Sequence, residues 1–242
     1  MLQQSQPSKP MSATRSMNKN PKCDSPEAKR IVIVDDHPLF RKGLQELIHS
    51  DSSFAVCGEA GNASEAMEVI RKLHPDLVIV DLSLPGANGI ELIKNIRAEF
   101  AKLPILVLSM HDESLYALRA MRAGADGYVM KHEAMQNVVQ AIHEVFNGRP
   151  YLSPAMAAQV ITKFAHRQSE GETDAIERLS DRELEILELI GKGNEVSQIA
   201  KTLHLSPKTV ETHRAHIKEK LNLANARQVA RFAVQWMSAR GI

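Results

Sequence analysis

Between residues 30 and 148 the chain alternates short β-branched runs with longer segments of helical period, five times in succession. No other feature restricts the fold as much. The runs occupy residues 31–34, 54–57, 77–80, 105–108 and 127–130. Those near 31, 77 and 105 are apolar without alternation, as expected of parallel strands covered on both faces. Helical periods lie between and after them, over residues 39–50, 63–73, 89–100, 114–123 and 133–146. Asn62 followed by Glu65 reads as a capping box for the second helix, and Gly124 suits the end of the fourth. Strict βα order predicts a doubly wound α/β domain with a five-stranded parallel sheet. Ligands of such sheets sit at the carboxyl ends of the strands.

The residues that follow the strands carry the chemistry. Asp35 and Asp36 follow the first run, Asp81 the third, Ser109 the fourth and Lys131 the fifth. Taken singly, each is ordinary: an Asp there is a turn former or helix cap, Ser109 a cap, Lys131 a solvated lysine. Taken together, each at the end of a different strand, they converge on one crevice. Three carboxylates in one crevice repel one another unless a cation neutralises them. Mg²⁺ fits, because it takes one or two carboxylates with a phosphate oxygen and keeps several waters. With that ion and the Lys131 ammonium offsetting charge, Asp81 can attack a phosphoryl donor, while Ser109 can donate to a phosphate oxygen.

Beyond residue 150 no strand pattern recurs. Gly148, Pro150 and Pro154 break the fifth helix, and Met156, Val160, Ile161 and Phe164 mark a short further one. Residues 166–174 read as a flexible polar tether. Helices are then expected at 182–190, 196–203, 207–221 and 226–237. Val196, Ile199, Ala200 and Leu203 form one buried stripe. A turn at His204 and Leu205 leads to Ser206 as N-cap and Pro207 at the first helical position. In the helix so started, Val210, Ile217 and Leu221 point inward beside His213, leaving Lys208, Glu211, Thr212 and Ala215 outward. Two short helices joined in this way describe a helix-turn-helix, although a plain helical bundle fits the same pattern. Glu211 can accept from a cytosine amino group, Thr212 is versatile, and Ala215 can touch a thymine methyl. Lys201, Lys208, Arg214 and Lys218 suit phosphates, and Thr209 completes the candidate DNA-contacting set. His213 and His216 have metal-binding spacing, yet no third ligand is evident and both are read as packing residues. The last helix, capped by Asn225, carries Val229, Phe232, Ala233, Trp236 and Met237, a stripe suited to internal packing or to a dimer contact.

Lys and Arg total 30 and Asp and Glu 29, a formal charge of +1 that gives no hint of nucleic acid. Divided along the chain, residues 1–30 carry +4, 31–150 carry −5, 151–178 carry −1 and 179–242 carry +3. The neutral total hides an acidic middle and a basic end, and this opposition predicts that the acidic domain docks on the basic one before phosphorylation. Two cysteines, Cys23 and Cys57, exclude a disulfide framework and suit a reducing compartment, with Cys57 expected as a buried small hydrophobe. No apolar run reaches the length of a membrane span. Residues 1–29 read as a basic disordered tail rather than a secretory signal or transit peptide. A cytoplasmic protein is expected.

Val34-Asp35-Asp36-His37, Val80-Asp81-Leu82-Ser83-Leu84-Pro85-Gly86, Leu108-Ser109-Met110 and Tyr128-Val129-Met130-Lys131 resemble a two-component receiver domain, flavodoxin-like in fold, over about residues 30–148. The resemblance implies phosphorylation of Asp81 by a partner histidine kinase. It also implies Mg²⁺ held by Asp36, Asp81 and the Ser83 backbone carbonyl, with Asp35 acting through water. Lys131 would pair with the phosphate, and Ser109 and Tyr128 would be the switch residues. Met110 replaces a residue commonly small in this family, which points to restricted water access and slow dephosphorylation; His111 beside it reads as an ordinary loop residue.

Leu179-Ser180-Asp181-Arg182-Glu183-Leu184-Glu185-Ile186-Leu187, Ile199-Ala200-Lys201-Thr202-Leu203 and Ser206-Pro207-Lys208-Thr209-Val210-Glu211-Thr212-His213-Arg214 resemble LuxR-type DNA-binding domains over about residues 176–240. The combination is similar to the NarL/FixJ class of response regulators, and implies a regulator that binds double-stranded DNA as a homodimer once phosphorylated. Some members carry Lys at the positions of Glu211 and Ala215, and Asn194-Glu195-Val196-Ser197 departs from the usual Ser-Asn-Lys-Glu. The expected organisation is a tail (1–29), a receiver (30–148), a linker with a short helix (149–175) and a helix-turn-helix domain (176–242). An Asp-nucleophile phosphotransferase would need an acid two residues after Asp81, where Ser83 stands. The chain is expected not to be an enzyme beyond its own phosphorylation and slow dephosphorylation. A DNA binder indifferent to phosphorylation is the other alternative.

Overall fold

The computed structural model describes residues 28–165 and 172–239. Its N-terminal unit contains β1 (Lys29–Val34), β2 (Phe54–Ala60), β3 (Leu77–Val80), β4 (Ile105–Ser109) and β5 (Gly127–Met130). These form one parallel sheet in the order β2-β1-β3-β4-β5. Helices α1 (Pro38–His49), α2 (Ala63–Leu73), α3 (Gly89–Glu99), α4 (Glu113–Ala123) and α5 (Ala134–Phe146) cover both faces. Ile31, Ile33, Ile79 and Leu106 pack under α1 and α5, while Val32, Val34, Val78 and Val80 pack on the opposite side, so both faces of the runs are apolar. In register, Val34 lies opposite Val80, Val80 opposite Val107 and Val107 opposite Tyr128. The residues just past β1, β3, β4 and β5 therefore emerge at one edge.

The expected caps are in place. Asn62 Oδ1 accepts from Glu65 N at 3.0 Å, and Gly124, with φ 112°, ends α4 against the Arg97 side chain. Strand β2 runs three residues past its expected end. Cys57 forms a bulge there, since Ile31 pairs with Val56 and Val32 with Gly58. A bulge resets alternation, and Gly58-Glu59 lacks β propensity, so the pattern ended early. Cys57 is only half-buried, packed against the core, because the bulged residue is displaced from the sheet face. Cys23 and the expected tail up to residue 27 lie outside the described residues.

The start of the expected linker belongs physically to the sheet. Tyr128 N donates to Tyr151 O at 2.8 Å, and α6 (Pro154–Ala165) follows, with Ser153 N donating to Glu113 Oε1 of α4 at 3.0 Å. A helix, α7 (Glu172–Glu177), occupies part of the expected tether, and Ile176 is buried. A six-residue helix anchored by one buried apolar side chain is too short to leave a helical period in the sequence. Residues 166–171, the rest of that tether, lie outside the described residues.

The C-terminal unit is all helical: α8 (Asp181–Gly191), α9 (Val196–Thr202), α10 (Pro207–Lys220) and α11 (Ala226–Ser238). Ser180 and Glu183 form a capping box on α8, and Ser206 Oγ accepts from Thr209 N at 3.0 Å to start α10. Val210 and Ile217 are fully buried. On α11, Val229, Ala233 and Met237 turn into their own unit. Met237 and Ala233 approach α8 at Gly191, where a Cβ would lie 2.3 Å from Met237 Sδ. Among the described residues, no helix is long and apolar enough to cross a membrane.

Candidate functional site

At the carboxyl edge of the sheet Asp81 is 1% exposed and Asp35 2%. Lys131 Nζ lies 2.6 Å from Asp35 Oδ2 and 2.7 Å from Asp81 Oδ2. Burial lifts the Asp81 carboxyl above its ordinary range while Lys131 pulls it back. Burial also opposes the charge of Lys131, but Asp81 and Asp35 outweigh it and hold the amine above the usual lysine value. Asp36 is half-buried at the mouth, its Oδ1 2.6 Å from His37 Nδ1. Single ligand atoms of Asp35, Asp36, His37 and Asp81 all lie within 4.8 Å of one another. That donor set is mainly carboxylate oxygen, the hard ligand that Mg²⁺ takes.

The loop after β3 is held tightly against the pocket. Ser83 N donates to Asp81 Oδ1 at 3.1 Å, and a short hairpin pairs Ser83–Leu84 with Ala87–Asn88. Gly89 N donates to Leu82 O at 2.9 Å, and a Cβ on Gly89 would lie 2.4 Å from Asp81 O. Ser109 and Tyr128 meet on the backbone of His111: Ser109 Oγ accepts from His111 N at 3.0 Å, and Tyr128 OH donates to His111 O at 2.8 Å. The Tyr128 ring points inward, and burial pushes its hydroxyl far above the ordinary value. All the residues expected at the strand ends are thus brought together.

Met110 does not narrow the mouth; it is 67% exposed and turned outward. His111 lies there instead. Its Nε2 is 3.1 Å from Ser83 Oγ, its ring centroid 4.4 Å from that of Tyr116, and its Nδ1 3.5 Å from Glu188 Oε2 of α8. Burial works against its charge, but Glu188, Glu185 and Asp81 raise its hold on a proton. Sequence reasoning missed His111 because its partners come from other elements, and no local pattern marks it.

The contact between the units continues along α3 and α4. Arg119 donates to Leu179 O at 2.8 Å and Ile176 O at 2.9 Å, and pairs with Asp181 Oδ1 at 3.1 Å. Lys94 reaches Asp181 Oδ2 at 3.5 Å. A cleft of about 310 Å³ separates Asp36, His37 and Ser83 from Glu185, Lys192 and His204. The expected docking is present with its local signs reversed: the acidic unit contributes Lys94, Arg119 and His111, the basic unit Asp181 and Glu188. Net charge averages over a whole surface, whereas an interface answers to the few charges within several ångströms.

On α10 the expected outward residues Lys208, Glu211, Thr212 and Ala215 are exposed, as is Lys201 on α9. Thr209, Arg214 and Lys218 are partly covered. Arg214 pairs with Glu211 at 3.0 Å, and Thr212 Oγ1 donates to Lys208 O at 3.0 Å. The contacts between units run through α7 and α8 and leave the outward face of α10 in solvent.

The response regulator receiver domain family matches residues 31–143, and the luxR family of bacterial regulatory proteins matches residues 177–233. Oxygen regulatory protein NreC of Staphylococcus carnosus (strain TM300) is 34% identical over 210 residues, covering 85% of this chain and 97% of that protein. Response regulator UvrY of Escherichia coli (strain K12) is 34% identical over 205 residues, covering 85% and 93%. RcsB from Salmonella enterica serovar Typhimurium, solved bound to promoter rprA with phosphomimetic BeF3-, is similar with a TM-score of 0.59 and 26% identity over 86% of this chain and 98% of that one. With a buried acidic pocket on the first unit, a helix-turn-helix on the second and full-length relatives spanning both, the chain belongs to the NarL/FixJ class of response regulators.

Proposed function

We propose that Asp81 is the phosphoacceptor of a two-component system and that its phosphorylation controls sequence-specific binding to double-stranded DNA. The buried Asp81–Lys131–Asp35 constellation carries this reading: a carboxylate sunk at the strand ends with a cation already in place. A phosphohistidine of a cognate histidine kinase is the donor. Asp81 attacks phosphorus, the new O–P bond forms as the N–P bond breaks, and the electron pair stays on the donor imidazole. Lys131 offsets charge on the transferred group, and the Ser109 hydroxyl has a hydrogen to donate to it. Asp36, Asp81 and the Ser83 carbonyl would hold Mg²⁺, with Asp35 contributing through water, and the ion would supply charge neutralisation at the phosphoryl oxygens.

Leu39, Met110 and Met135 are 85%, 67% and 71% exposed and follow Asp35, Ser109 and Lys131 within four residues. They make an apolar rim suited to a partner surface of the kinase. The receiver acts only on itself, with slow hydrolysis favoured by His111 and Ser83 across the mouth. Added phosphoryl charge arrives beside His111, which joins the units through Glu188, so the two sites are coupled through one side chain. To act as a switch it must favour one state strongly, since moving from 1:99 to 99:1 takes about 5.5 kcal/mol.

Lys201, Lys208, Thr209, Glu211, Thr212, Arg214, Ala215 and Lys218 make the DNA surface. RcsB solved on promoter rprA, and RcsB solved as two dimers on two parallel DNAs, support a homodimer as the active form. A cytoplasmic location follows from this function. The test compares wild type and Asp81→Asn with and without a small-molecule phosphodonor. Tighter DNA binding and dimerisation are expected in wild type alone; if the donor changes neither in wild type, the reading fails.

A further inference from the structure

The spacing of His213 and His216 on α10 offers two ring nitrogens, and the fold supplies the ligand that the spacing lacked. Glu183, in the first turn of α8, places an oxygen beside both rings: one ligand atom from each of the three residues lies within 4.8 Å of the others. Glu183 Oε1 is 3.6 Å from His216 Nδ1. The carboxylate is 3% exposed and firmly held, because its Oε2 accepts from Ser180 N at 2.7 Å and from Lys220 Nζ at 2.7 Å. The other oxygen is thereby presented to the imidazoles. His213 Nδ1 is buried without a hydrogen-bond partner among the described residues.

A tetrahedral Zn²⁺ with bonds near 2.0–2.1 Å sets its ligand atoms about 3.3 Å apart. The Oε1 to Nδ1 separation is close to that edge, so side-chain rotation can bring the set to bonding geometry. We propose that Glu183, His213 and His216 form a two-nitrogen, one-oxygen site for a borderline divalent cation of the Zn²⁺ class, completed by water. This site is separate from the acidic pocket, which offers hard oxygen donors. Bound there, the cation ties the flank of α10 to α8, beside the outward Thr212, which lies one turn before the half-exposed His216. Lys220, on the far oxygen of Glu183, opposes a second cation and moderates the affinity.

The full chain in excess Mg²⁺, which occupies the acidic pocket, is titrated with Zn²⁺ by calorimetry and with Co²⁺ as a spectroscopic substitute. One Zn²⁺ per chain is expected, with the intense visible bands of a tetrahedral Co²⁺ centre. His216→Ala, at a mostly exposed position that should not disturb folding, is expected to weaken binding at least about tenfold and abolish those bands. Zn²⁺ should raise the melting temperature of wild type and not of this variant. Equal Zn²⁺ affinity in wild type and His216→Ala, or only the weak bands of octahedral Co²⁺, overturns the site.

Discussion

Gly89 shows how closely the pocket is built around single atoms. It sits against the backbone of Asp81 and Leu82, so any Cβ there must push the Asp81 loop aside. Gly89→Ala should cost about 1–3 kcal/mol in chemical denaturation and slow phosphorylation of Asp81. Gly43, exposed in α1 with open space around it, provides the contrast: Gly43→Ala should stabilise by about 0.5–1 kcal/mol in the same denaturation measurement. Asp35, Asp36, Asp81, Ser109 and Lys131 were legible because a strand end gives a residue a known direction. His111 and Glu183 were not, because their significance lies in neighbours from distant elements.

The elements follow their local codes where both faces or both caps are written into the chain. Ser206 and Pro207 start α10, Asn225 starts α11, and the apolar runs become β1, β3 and β4. Departures occur where a contact overrides the pattern, as in β2 past its bulge and in α7, whose Ile176 is buried. The segment joining β4 to α4 carries a titratable contact between the units. His111 is held above the ordinary 6.5 by Glu188, Glu185 and Asp81 despite its burial. Its charged form is therefore bound more tightly in the docked state. The contribution is fully present below about pH 6.5 and is lost as pH rises through the raised value. Small-angle scattering should show the wild-type chain expanding across that alkaline rise. Glu188→Gln should flatten the dependence; an unchanged profile in that variant would remove His111 from the contact.

Across the whole molecule, Arg119 is the main polar link between the units, serving two carbonyls and Asp181. Arg119→Ala should leave both units folded and increase the radius of gyration measured by small-angle scattering. An unchanged radius would show that this link does not hold the units together. Because Lys208, Glu211, Thr212 and Ala215 on the outward face of α10 are exposed, docking leaves the proposed DNA surface open. It sets Glu188 of α8 against His111 at the mouth of the acidic pocket.

Alternation of apolar runs, the residues after each strand and the caps of the helices were enough to define a doubly wound α/β domain followed by a set of helices, while the resemblance of the motifs made these a receiver and a helix-turn-helix. Those properties depend on neighbours a few residues apart, where backbone geometry fixes direction. The net charges of the two segments were equally readable, but their use was not: the interface pairs cations of the acidic unit with carboxylates of the basic one. Side chains far apart in the chain meet only when elements pack. Packing alone therefore placed His111 over the pocket, turned Met110 outward and set Glu183 beside the paired histidines.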